Sequence, residues 1–100
     1  MQNEFLLSLI VPLEIKDDLV DTLMEQEDIT GFTLFPVDGF SKKHSEFNIK
    51  EQVEGYRRYY KFEIMHSIDI QQALLQSIKP ICEASNIRYW VYDLNSSGNF

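Results

Sequence analysis

The side chains best suited to binding chemistry gather in one stretch of the chain. Lys42, Lys43, Lys50, Arg57, Arg58 and Lys61, with His44 among them, all fall between positions 41 and 61. That segment holds six bases and three acids, net +3, whereas residues 1–40 hold one base and nine acids, net −8, and residues 62–100 two bases and four acids, net −2. A basic cluster of this kind can take a phosphate-bearing ligand or an acidic protein surface. The same charges would equally suit a solvated loop. His44 with Glu46 two residues on could ligate a divalent cation with groups from a neighbouring subunit, although Lys42 and Lys43 oppose it.

Other chemistry is poorly provided for. No His-x-His or His-x-x-x-His spacing occurs, and the single Cys82 belongs to no Cys-x-x-Cys pair, which removes thiolate clusters and redox pairs. Met24 and Met65 read as core fillers. Asp17, Asp18, Asp21 and Glu25 recur at helical spacing without a cation partner and read as a solvated face. With no nucleophile beside a base and no carboxylate pair in an apolar setting, the chain is expected not to be an enzyme. The run Arg57-Arg-Tyr-Tyr-Lys-Phe-Glu-Ile64 is distantly similar to the aromatic strand of RNA-recognition modules, but it lacks their glycines and sits on an acidic body. Nucleic acid is not an expected partner.

The elements that position these residues follow from apolar periodicity. Residues 4–11 form a nearly continuous apolar run stopped by Pro12, a first strand. Ile15, Leu19 and Leu23, flanked by Val20 and Met24, predict an amphipathic helix from Glu14 to about Gln26. Phe32 to Val37 is β-rich and ends near Gly39, with Pro36 implying an edge strand or a bulge. A third strand alternates, with Arg58, Tyr60, Phe62 and Ile64 on one face and Tyr59, Lys61, Glu63 and Met65 on the other. Asp69 with Gln72 three residues later predicts a capping-box start for a second helix, which Pro80 should break or kink before Ile81. Ile87 to Leu94 predicts a fourth strand, and Asn95 to Phe100 a loose tail.

The order βαββαβ, folded with right-handed crossovers, gives an α+β ferredoxin-like domain over residues 1–100: a four-stranded antiparallel sheet with both helices on one face. Strands one and four are nevertheless apolar on both faces. A sheet face open to water should read polar, so a second subunit is expected to cover it. The connection from Phe40 to Gly55 far exceeds a hairpin loop, and Asn48 with Glu51 predicts one short helical turn inside it. Met1 to Glu4 carries no basic cluster, and the apolar run that follows is too short to span a bilayer. With one cysteine and no membrane insertion, a cytoplasmic location is expected.

Ile29-Thr-Gly-Phe-Thr-Leu-Phe-Pro-Val-Asp-Gly-Phe-Ser-Lys-Lys-His-Ser-Glu46 resembles the segment of PII signalling proteins in which Gly-Met-Thr leads through a strand to Gly-Phe-Gly, a basic pair and His-Thr-Glu. Over nearly its whole length the chain is similar to an uncharacterised PII-like family of short bacterial proteins. Its Gly-Phe-Thr, Glu-Gln-Val-x-Gly and Tyr-Trp-Val appear here at 31–33, 51–55 and 89–91. That family is often encoded beside heavy-metal efflux pumps, and the CutA proteins are a more distant likeness. The resemblance implies a PII-like fold and a homotrimer. It also implies that the long loop between strands two and three, the T-loop of PII proteins, contacts a partner protein, a membrane transporter of the metal-efflux class being one candidate. Phe40, Lys42, Lys43, His44, Glu46, Lys50, Arg57 and Arg58 are then the candidate binding residues, with His44 and Glu46 the candidate metal ligands in an alternative CutA-like sensor or buffer. ATP or ADP binding is not expected, because Pro80-Ile-Cys-Glu-Ala-Ser-Asn-Ile87 lacks the glycine-rich, lysine-bearing phosphate turn of nucleotide-binding PII proteins.

Overall fold

A computed structural model describes residues 4–40 and 57–100, with Arg57 described through its backbone alone. Four strands and two helices follow in the order β1 (Glu4–Pro12), α1 (Leu13–Met24), β2 (Thr33–Gly39), β3 (Arg57–Ser67), α2 (Ile68–Cys82) and β4 (Tyr89–Asp93). The antiparallel sheet has the strand order β2-β3-β1-β4, the ferredoxin-like arrangement. β2 lies at one edge, where the missing N–H of Pro36 costs the ladder least.

One face of the sheet carries the core. Leu7, Leu9 and Val11 of β1 and Phe62 and Ile64 of β3 pack against Leu19 and Leu23 of α1 and Leu74 and Ile78 of α2, all at most 4% exposed. Each such side chain contributes about 1.5–3 kcal/mol relative to exposure. The alternation read from β3 holds, with Phe62 and Ile64 buried, but Met65 on its other face is exposed, as is Met24 at the end of α1, so neither methionine is the core filler its residue type suggests. His66 continues the buried face, its ring stacked on Phe5 and its two nitrogens 3.2 Å from the Ile64 carbonyl oxygen and 3.0 Å from Gln71 Oε1.

Three boundaries differ from the sequence reading. β3 runs straight into α2, so Ser67, still extended at φ −83°, ψ 161°, is the residue before the first helical turn, and Asp69 lies inside that turn rather than capping it. There its carboxylate favours the positive end of the helix dipole. α2 does not break before Ile81 but continues through Pro80 to Cys82, because Ile78 and Cys82 on either side are both held in the core. Ser77 Oγ donates to the Leu74 carbonyl at 2.8 Å in the turn before, a bond that often accompanies a bend. β4 begins two residues later than expected, since a 3₁₀ turn at Glu83–Ser85 and a left-handed Asn86 at φ 51°, ψ 51° occupy the approach. Asparagine tolerates that conformation better than most residues.

Candidate functional site

The connection between β2 and β3 leaves from a two-stranded stem; its three lysines and three glutamates balance, and the excess of base lies in Arg57, Arg58 and Lys61 of β3 itself. β1 pairs with β3 only as far as Pro12 opposite Tyr59, whereas β2 continues with Asp38 opposite Arg58 and Gly39 opposite Arg57. The hairpin therefore projects past the end of the central strand. Arg58 Nε lies 3.5 Å from Asp38 Oδ1 in an exposed pair, worth at most about 1 kcal/mol. At the root of the stem Lys16 Nζ sits 4.9 Å from the centre of the Tyr60 ring, and Phe40 at its tip is exposed. Of the expected binding residues, the structure places Phe40, Arg57 and Arg58 at this stem. Lys42, Lys43, His44, Glu46 and Lys50 lie outside the described residues, as does the short helical turn expected between Asn48 and Gly55. Asp38 was missed in sequence because only the β2–β3 register sets it against Arg58.

The second feature is the sheet face opposite the helices. Leu6, Ser8 and Ile10 of β1 share it with Phe35 and Val37 of β2, Lys61, Glu63 and Met65 of β3, and Trp90 and Tyr92 of β4. Met65 and Tyr92 are exposed, at 45% and 48%, and no helix among the described residues covers them. At its centre Lys61 Nζ stands 3.7 Å from Glu63 Oε2 and lies over two rings, 5.7 Å from the centre of Phe35 and 5.9 Å from that of Trp90. Ser8, directly opposite Glu63, is fully buried, and its Oγ has no hydrogen-bond partner among the described residues. A buried hydroxyl left unpaired costs about 1–3 kcal/mol.

Elsewhere a pocket of about 450 Å³ opens between α2 and the approach to β4, with Leu75, Ile78 and Cys82 at its floor and Lys79, Glu83 and Tyr89 around it. Burial pushes the Cys82 thiol above its ordinary value of 9.0, which makes it a poor nucleophile near neutral pH. Among the described residues no three His, Cys, Asp or Glu side chains lie close enough together to hold a metal ion. His66, buried and engaged on both nitrogens, is a core residue. Among the described residues no helix is long and apolar enough to cross a membrane.

Sheet order, helix placement and the projecting β2–β3 hairpin define the ferredoxin-like fold shared by CutA and PII proteins. CutA1, a divalent ion tolerance protein from Ehrlichia chaffeensis, superposes with a TM-score of 0.75 at 16% identity, covering 99% of this chain and 88% of that one. Arabidopsis thaliana PII bound to citrate superposes at 0.69 with 17% identity, covering 93% and 78%. The chain belongs to the family of proteins of unknown function DUF3240, whose model matches residues 1–100. A DUF3240 family protein from Shewanella baltica is 40% identical, with a TM-score of 0.82 over 100% of this chain and 99% of that one. No curated protein matches the chain.

Proposed function

We propose that this protein is a non-enzymatic, PII-like regulatory subunit of the cytoplasm. It self-associates as a trimer through the open sheet face and docks on a partner protein through the segment 40–55. The observation that carries the reading is the stem: β2 and β3 extend past β1, and Arg57 and Arg58 at its end adjoin a connection that holds Lys42, Lys43 and Lys50 beside three glutamates. Such a geometry suits an acidic docking surface, because opposite charge both speeds encounter and selects against basic partners. A membrane transporter of the metal-efflux class is the partner that the family resemblance suggests. The test is capture of that class of transporter by the intact protein. Lys42→Glu with Lys43→Glu should abolish capture and leave the oligomer intact; undiminished capture by the double variant would overturn docking through the loop.

A second reading is supported by the likeness to a divalent ion tolerance protein, namely that the loop binds a divalent cation through His44 and Glu46. Binding to the folded state raises stability by mass action. A large thermal shift with Cu²⁺, Zn²⁺ or Ni²⁺ that disappears in His44→Ala would favour this reading over pure docking.

A further inference from the structure

The open sheet face is not uniformly apolar. Its charges are sorted along the strands. Glu4 stands at the start of β1 and Glu63, opposite Ser8, at its midpoint, both beside Leu6 and Met65. Lys61, opposite Ile10, and Arg88, beside Ile10 and Trp90, stand toward its end. Along β1 the two acids precede the two bases, with Glu63 and Lys61 meeting near the middle, which leaves the patch neutral in sum and polar in arrangement. A surface of that kind complements a copy of itself laid head to tail, and repeated head-to-tail contacts close into a ring when the rotation allows.

The centre of the patch is unfinished in a single chain. Lys61 and Glu63 approach only to 3.7 Å, longer than a hydrogen bond, and both side chains are about a quarter exposed, at 24% and 28%. If another surface closed over this loose pair, it would lose water without gaining a close partner, which is unfavourable unless the covering surface supplies one. The Ser8 hydroxyl beneath is already cut off from water and unpartnered. Glu63 stands directly across the ladder, and its carboxylate becomes free to accept a hydrogen bond once Lys61 turns elsewhere.

We propose that the face recognises a second copy of this chain by charge. The Glu4–Glu63 half of one copy lies against the Lys61–Arg88 half of the next, Lys61 exchanging its own Glu63 for the neighbour's. The inference rests on the self-association put forward above and adds which residues set its direction. Phe35 and Trp90, whose ring centres lie 5.7 and 5.9 Å from the Lys61 ammonium, favour a cation at that place on the face.

Sedimentation equilibrium on the intact protein tests this with Lys61→Glu and Glu63→Lys, each alone and then mixed in equal amounts, with circular dichroism reporting folding. The wild type should associate, and each variant alone should associate at least tenfold more weakly. The mixture should recover association in part, because two of the three contacts in a mixed trimer then set an acid-enriched face against a base-enriched one. Wild-type association unaffected by either variant, or two weakened variants that do not rescue each other, overturns the charge-reading inference while leaving self-association standing. A wild type that sediments only at 11.8 kDa removes both. If a central variant fails to fold, Arg88→Glu and Glu4→Lys, at the two ends of the face, carry the same mixing test.

Discussion

Ser8 and Glu63 stand directly opposite one another across the β1–β3 ladder, a buried hydroxyl without a partner facing a carboxylate loosely held by Lys61. They are set among Leu6, Ile10, Trp90 and Met65, on the face that no helix covers. An apolar sheet face with a polar centre is poorly suited to water and well suited to a specific partner, since apolar area supplies affinity and the charges supply register. The other face shows what full coverage looks like, with every central position filled by aliphatic or aromatic carbon.

Phe62 is the largest fully buried side chain, and it stacks on Phe32 with ring centres 5.9 Å apart. Phe62→Ala should cost about 3–5 kcal/mol, because the sheet and both helices cannot close over the space it leaves. Urea unfolding followed by circular dichroism measures this directly. A loss below about 1 kcal/mol would mean that the core is not packed as described.

Gln71 holds the buried end of the His66 ring at 3.0 Å. Gln71→Ala strands a ring nitrogen beneath the first turn of α2 and should cost about 1–3 kcal/mol. Gln71→Met, which keeps the bulk and removes the amide, should cost nearly as much. A loss in Gln71→Ala with none in Gln71→Met would show that the amide contact contributes nothing specific.

Pro80 sits inside α2 without the N–H that would bond the preceding turn. Pro80→Ala restores that donor and should stabilise the protein by about 1–3 kcal/mol in the same urea experiment. A neutral or destabilising result would assign the proline a role in shaping the 3₁₀ turn that follows.

Cys82 is 8% exposed, and burial raises its thiol pKa above 9.0. The neutral thiol is favoured by folding, so its contribution to stability is complete below the unfolded value and is lost as pH rises through the folded one. Alkylation by iodoacetamide at pH 8 should be much slower in the folded protein than in urea. Stability should hold steady to about pH 9 and decline beyond it. Rapid alkylation of the folded chain would contradict the described burial.

Much of this organisation is legible in the residue order, for physical reasons that differ between elements. The strict alternation from Arg58 to Met65 specifies a strand with one buried face, since only a period of two sends Phe62 and Ile64 inward together. The start of α2 is not legible in the same way. Asp69 and Gln72 satisfy the spacing of a capping box, yet the extended backbone of Ser67, fixed by its pairing with Glu4, sets the helix start earlier. Likewise Pro80 carries a local penalty that the burial of Ile78 and Cys82 outweighs, a tertiary effect absent from local propensity. At the candidate site, the basic cluster is visible as a string of residue types. That Asp38 meets Arg58, and that Lys61 lies over Phe35 and Trp90, depends on strand register and neighbour order, which no local spacing encodes.

Native mass spectrometry of the intact chain at micromolar concentration tests the central claim most directly. A self-associating, PII-like subunit closed over its open sheet face should give a dominant species at three times 11.8 kDa, whereas a dominant species at 11.8 kDa across that range would contradict it.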